Sequence, residues 1–113
     1  MAATPEGRVK RRVRKLLDRY EGLYQFWPVP TGLGSTTLDV LGCYRGRFFA
    51  IETKADKRVP TERQLVTMAQ MRAAGAEVFV VTGDRDEAIF ELKVWLDAVE
   101  RETVERMHDR GSA

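Results

Sequence analysis

Residues 38–54 read Leu38-Asp39-Val40-Leu41-Gly42-Cys43-Tyr44-Arg45-Gly46-Arg47-Phe48-Phe49-Ala50-Ile51-Glu52-Thr53-Lys54. Two strand-like runs, 38–44 and 47–53, flank Arg45-Gly46, a pattern that predicts a β-hairpin with a two-residue turn. Tyr44 then pairs with Arg47, and counting outward sets Asp39 opposite Glu52. Residues directly opposite on an antiparallel pair share a face, with β-carbons about 5 Å apart. Side chains alternate along a strand, so Lys54 joins Glu52 while Thr53 points away. Two carboxylates and an amine therefore converge at one end of the hairpin. A three-residue loop without a bulge would instead set Asp39 against Ile51. Like charges that close disfavour joint ionisation, and a divalent cation relieves the conflict. Oxygen-only donors suit Mg²⁺, or Mn²⁺ as a substitute. Such an ion polarises a phosphodiester and lowers the pKa of bound water; Lys54 is then placed to hold that water or to stabilise charge on the phosphate. The competing reading is an ordinary surface salt-bridge cluster on an edge hairpin, which contributes little.

Upstream, Thr4 and Pro5 suit the start of a helix running to about Tyr20, with Val9, Val13, Leu16, Leu17 and Tyr20 as its buried stripe and Gly22 as its stop. Leu23 to Trp27 reads as a strand. Pro28 to Thr37, with Pro30, Gly32 and Gly34, reads as a loop. Downstream, a polar loop 55–60 leads to Thr61-Glu62-Arg63-Gln64, a capping box that opens a second helix. Its expected face is Leu65, Met68, Ala69 and Arg72, and Gly75 ends it. Glu77 to Val81 is apolar enough to predict a strand in the middle of the sheet. Gly83-Asp84 turns the chain into a last helix with a stripe of Ala88, Leu92, Trp95, Leu96 and Val99, and the tail from about His108 to Ala113 is expected to fray. The order is that of an α/β domain with a mixed sheet.

The 113 residues, 43% hydrophobic, suit one folded domain spanning 1–113 with its core at about 5–107. No apolar run approaches the length of a membrane span, and no secretory signal is visible. A single cysteine, Cys43, points to a reducing, cytoplasmic setting; it reads as a small buried hydrophobe. Net charge is only +2, but residues 8–19 carry +6 and the remainder −4. Arg8, Lys10, Arg11, Arg12, Arg14 and Lys15 in that segment, with Lys57, Arg58 and Arg63 near the hairpin, are candidate contacts to an anionic polymer such as DNA. The plainer reading of each is a solvated charge. Tyr24, Phe26 and Trp27 read as core rather than as base-stacking residues, and His108 is too near the tail to be a ligand. No zinc-ligand spacing, phosphate-cradling glycine loop or nucleophile–His pair occurs.

The pattern resembles the PD-(D/E)XK nucleases, and within them the VRR-NUC (virus-type replication-repair nuclease) domain. The matching residues are Gly32 and Gly34, Asp39 with Val40-Leu41-Gly42, Phe49 to Lys54, Thr61, Gln64, and Gly75 before Val78 to Val81. They spread over about residues 5–90, nearly the whole domain. Leu38 departs from the family, which usually has proline before the aspartate; that proline shapes the strand entrance and is not a ligand. The resemblance implies a restriction-endonuclease-like αβββαβ core with a mixed central sheet flanked by helices and an extra C-terminal helix. It implies Mg²⁺- or Mn²⁺-dependent hydrolysis of DNA, with Asp39, Glu52, Lys54 and Gln64 catalytic. The implied metal ligands are Asp39, Glu52, the backbone carbonyl of Thr53, and Glu6 as the family's first-helix acid. Glu6 and Gln64 also have structural readings, as a helix-terminus charge and a capping residue. Stand-alone phage-type members of this family look like homodimeric resolvases of branched DNA. The alternatives are a monomeric flap- or nick-specific nuclease, or a nuclease-like fold that binds nucleic acid without cutting. A dimer lacks one expected feature: the helix stripes and strand faces are all claimed by the core, leaving no apolar stripe for an interface.

Overall fold

A computed structural model describes residues 4–29, 36–83 and 85–111, with backbone alone for 110 and 111. The expected glycine loop with Pro30, Gly32 and Gly34, Asp84 of the turn, and residues 112–113 lie outside the described residues. The elements are α1 (Pro5–Leu17), β1 (Tyr24–Phe26), β2 (Val40–Tyr44), β3 (Arg47–Lys54), α2 (Glu62–Ala73), β4 (Glu77–Thr82) and α3 (Asp86–Gly111). One four-stranded sheet runs β1-β2-β3-β4, with the first three strands antiparallel and β4 parallel to β3. This is the mixed α/β arrangement expected, and it has the restriction-endonuclease-like order of elements.

The hairpin turns where its sequence requires. Arg45 and Gly46 both take positive φ, 48° and 85°, the conformation whose twist matches the flanking strands. Tyr44 pairs with Arg47, and the ladder runs to Val40 opposite Ile51. Gly42 lies opposite Phe49, whose ring covers it: a Cβ added at Gly42 would fall inside that buried ring. Gly42→Ala is therefore expected to destabilise the fold by about 3 kcal/mol through overpacking, measured as a fall in the urea midpoint. A midpoint within error of wild type would show that Phe49 has room to move.

Helix ends follow their caps. Thr4 Oγ1 accepts the Gly7 N–H at 3.0 Å. The helix closes at Leu17, three residues before the expected Tyr20, and Gly22, at φ 81°, redirects the chain towards β1. Thr61 and Gln64 make both bonds of the capping box. At the other end of α2, Gly75 sits at φ 103°, and the N–H groups of Gly75 and Ala76 return to the carbonyls of Arg72 and Met71.

α1 and α3 cover one sheet face. Val9, Val13, Leu16, Leu17, Leu92, Leu96 and Val99 pack with Val40, Tyr44, Phe49, Ile51 and Val81. α2 covers part of the other, where Met68 meets Ala50, Val78 and Leu38. Several expectations are corrected here. β4 is an edge strand; its apolar composition follows from being covered on both faces, Val81 towards the α1–α3 core and Val78 towards α2. The inward face of α2 is Gln64, Thr67, Met68 and Met71, while Leu65 and Ala69 are exposed. Tyr24 and Phe26 stand 65% and 50% exposed, and Cys43, Tyr24's partner across the ladder, is exposed as well. No described helix reaches over that half of the sheet; only Trp27 of the three aromatics packs against the core. α3 does not fray at His108 but runs to Gly111. Among the described residues no helix is long and apolar enough to cross a membrane.

Candidate active site

Asp39 lies one position beyond the last ladder pair, where β2 has diverged from β3. Its carboxylate takes the place of the missing strand partner. Oδ2 accepts both the backbone N–H and the hydroxyl of Thr53, each at 2.8 Å. Thr53 is fully buried, so this pair fixes the carboxylate at the strand end. Oδ1 faces Lys10 Nζ of α1 at 3.7 Å. The ladder keeps the expected register, which carried one step past Val40 and Ile51 sets Asp39 level with Glu52, and the two carboxyl groups lie close enough to shift one another's titration.

Glu52 is 2% exposed, and its Oε2 is buried with no hydrogen-bond partner. Burial pushes its carboxyl up to about 8, and the hydrogen bond and negative charge of Asp39 add to this; Lys54 opposes the shift and Glu6 reinforces it. Burial would also raise Asp39, but the bonds from Glu52 and from both Thr53 donors, together with the Lys10 charge, outweigh it and hold Asp39 below the usual carboxylate range. At neutral pH the metal-free pair thus carries one proton, on Glu52, and one charge, on Asp39.

The orphaned Oε2 is the observation that tests whether a cation fits. A buried carboxylate oxygen without a partner is costly unless something fills its lone pairs. A hard divalent ion held by Asp39 and Glu52 would do so, and would favour the ionised form of both carboxyls. Among the described residues no three His, Cys, Asp or Glu side chains gather closely enough to hold a metal. Two carboxylates still suit Mg²⁺, which keeps several waters and takes phosphate oxygens rather than filling an all-protein cage. Glu6 is exposed and acts on Glu52 through its charge, without completing a three-carboxylate cluster.

Lys54 is half-buried at the end of β3, level with Thr82, and its carbonyl accepts the Gly83 N–H at 3.0 Å. Gly83 is needed for this approach: a Cβ there would lie 2.6 Å from Asp56 Oδ1 and 2.9 Å from Val9 Cγ2. Gln64 has its Oε1 committed to the Thr61 N–H at 2.9 Å, which is its capping role. Of the candidate DNA contacts, Arg12 bonds Asp86 at 3.0 Å and Arg14 stacks over Trp27 at 4.7 Å. Arg8, Arg11, Lys15, Lys57, Arg58 and Arg63 are exposed.

Sequence reasoning read Lys10 as a DNA contact and did not see its approach to Asp39. The Thr53 side chain, which anchors Asp39, also went unread. Nothing in a strand's alternation marks a residue that supports a carboxylate lying beyond the ladder.

No protein-family model matches the sequence, and no curated protein matches it. Solved structures do. A VRR-NUC domain, 25% identical, superposes with a TM-score of 0.60 over 88% of this chain and 94% of that one. Hjc, a Holliday junction resolvase from the archaeal hyperthermophile Archaeoglobus fulgidus, is 20% identical and gives 0.52 over 66% of this chain and 65% of its own. The second likeness is one of fold.

Proposed function

We propose that this chain, a restriction-endonuclease-like domain of the VRR-NUC type, is a metal-dependent DNA endonuclease that hydrolyses phosphodiester bonds in branched DNA. The 113 residues act as one domain and work as a homodimer in a resolvase-like reaction. The observation that carries this reading is the buried, unpartnered Glu52 Oε2 beside an ionised Asp39, at the end of a hairpin that also presents Lys54.

Asp39 and Glu52 are the side chains that hold Mg²⁺ or Mn²⁺, with the Thr53 carbonyl and Glu6 as further oxygens for the ion or its waters. When bound, the ion polarises the scissile phosphodiester and lowers the pKa of a water. Thr53 keeps Asp39 in place through its two hydrogen bonds. Lys54 orients the attacking water or offsets charge growing on the phosphate. Gln64 caps α2 through Oε1, and its amide nitrogen is the part left for a catalytic contact. Arg11, Lys15, Lys57, Arg58 and Arg63 bind backbone phosphates; Arg8, Lys10, Arg12 and Arg14 join them by exchanging their present partners for phosphate. A two-fold dimer would supply the two opposed cuts that resolving a junction requires.

The test is cleavage of matched four-way junction, flap, nicked and linear substrates at one stated salt concentration, with Mg²⁺, with Mn²⁺ and with a chelator. Junction cleavage that needs the ion is expected. Full activity in chelator would remove the metal site. A monomer cutting flaps faster than junctions would make the chain a flap-type nuclease, and binding without cutting under every condition would make it a binding module.

A further inference from the structure

The outward side of α3 carries a stripe that the core does not use. Phe90, Val94, Asp97, Arg101 and Val104 recur at steps of four, three, four and three residues. At about 100° per residue they lie opposite Leu92, Leu96 and Val99, which are buried. Phe90 is 64%, Val94 47% and Val104 56% exposed. A step averaging three and a half residues is the seam of paired helices, not the wider stripe of a helix packed on a sheet. Its three apolar members, Phe90, Val94 and Val104, are exposed where sequence reasoning expected no apolar surface to spare.

The order of residues identifies what covers it. In an antiparallel pair related by a two-fold axis level with Val99, Val94 of one copy meets Val104 of the other. Asp97 then meets Arg101, Arg101 meets Asp97, and Phe90 meets the Met107–His108 turn. A parallel pair would stack Asp97 on Asp97 and Arg101 on Arg101, which like charges oppose. The stripe is thus complementary to itself in one orientation only. Asp97 accepts from the Tyr20 hydroxyl and from Lys93 Nζ, both at 2.7 Å, and its side chain remains 33% exposed, open to a further cation. We propose that this face of α3 is the contact between two copies of the chain. The proposal rests on the reading that the protein works as a homodimer, and it names the surface.

Cysteine pairing tests the register. Cys43 is exposed and is first replaced by serine. In that background Val94→Cys/Val104→Cys is expected to give a disulfide-linked dimer on mild oxidation, because residue 94 of each copy faces 104 of the other. The two positions lie about 15 Å apart along one helix, beyond the reach of an internal disulfide. Val94→Cys alone should stay unlinked for the same reason. Separately, Val94→Glu/Val104→Glu should raise the dimer dissociation constant at least about 100-fold by sedimentation equilibrium, since each change enters the interface twice. Both positions are exposed, so circular dichroism should show an intact fold. A wild-type dimer that survives the glutamates and gives no cross-link overturns this surface while leaving the dimer reading intact. A wild-type monomer at micromolar concentration, with and without junction DNA, overturns both, and cleavage by the same samples reports separately on the nuclease reading.

Discussion

Metal-dependent cleavage is expected to fall at least about 10³-fold in Asp39→Ala and in Glu52→Ala, because either change halves the carboxylate donor set that positions the ion and its water. Undiminished cutting by either variant would move the active site elsewhere. The same pair gives a second result that needs no substrate. In metal-free protein Glu52 keeps its proton up to about pH 8, whereas in the unfolded chain it ionises near 4.5. Between those values the folded state binds the extra proton, so stability falls as pH rises, by at most about 1.4 kcal/mol per pH unit. The loss is absent below pH 4.5 and complete above 8. Glu52→Gln removes the titration, so in chelator its melting temperature should change less than that of wild type from pH 5 to pH 8. At pH 8 the variant should be the more stable. Saturating Mg²⁺ should recover wild type and leave Glu52→Gln nearly unmoved. Parallel pH profiles in chelator would mean that Glu52 is better solvated than its burial implies.

The hairpin was legible because two independent signals agree on it. Arg45-Gly46 sets the turn, and the apolar alternation sets the faces, so the register places Asp39 level with Glu52 without any knowledge of the rest of the fold. The caps at Thr4 and Thr61 and the stop at Gly75 are likewise local chemistry, settled within four or five residues. What alternation leaves open is whether a face is covered. Tyr24, Phe26 and Cys43 share a side that no described helix reaches, and the same pattern would suit a buried sheet equally well. Leu65 misled for a related reason, since α2 turns Thr67 and Met68 inward and leaves Leu65 and Val66 in solvent. Lys10 is the case that matters for chemistry. Its contact with Asp39 spans 29 positions and exists only once α1 has packed across the sheet, so no local pattern carries it.

Lys54→Ala is expected to lower the single-turnover cleavage rate on saturating junction DNA by about 10²- to 10³-fold while DNA affinity changes by less than about threefold. The separation follows from where Lys54 stands. It is one of 19 basic residues, and it is half-buried beside Glu52 instead of lying on the exposed surface that meets phosphates first. Losing one phosphate contact would reduce the salt dependence of binding by about one unit of slope, and Lys54→Ala should leave that slope nearly unchanged. Arg58→Ala and Arg63→Ala, at exposed positions after the hairpin, should do the reverse: weaker binding, a shallower salt slope, and a normal rate once DNA is saturating. Lys54→Arg is not expected to rescue cleavage, because a planar guanidinium cannot occupy the space of a compact ammonium against a buried carboxyl. Single-turnover kinetics with binding measured in Ca²⁺ separates the two effects. If Lys54→Ala binds far more weakly yet cuts at the wild-type rate once saturated, the lysine is a phosphate anchor. The chemistry at the hairpin end would then rest on Asp39 and Glu52 without it.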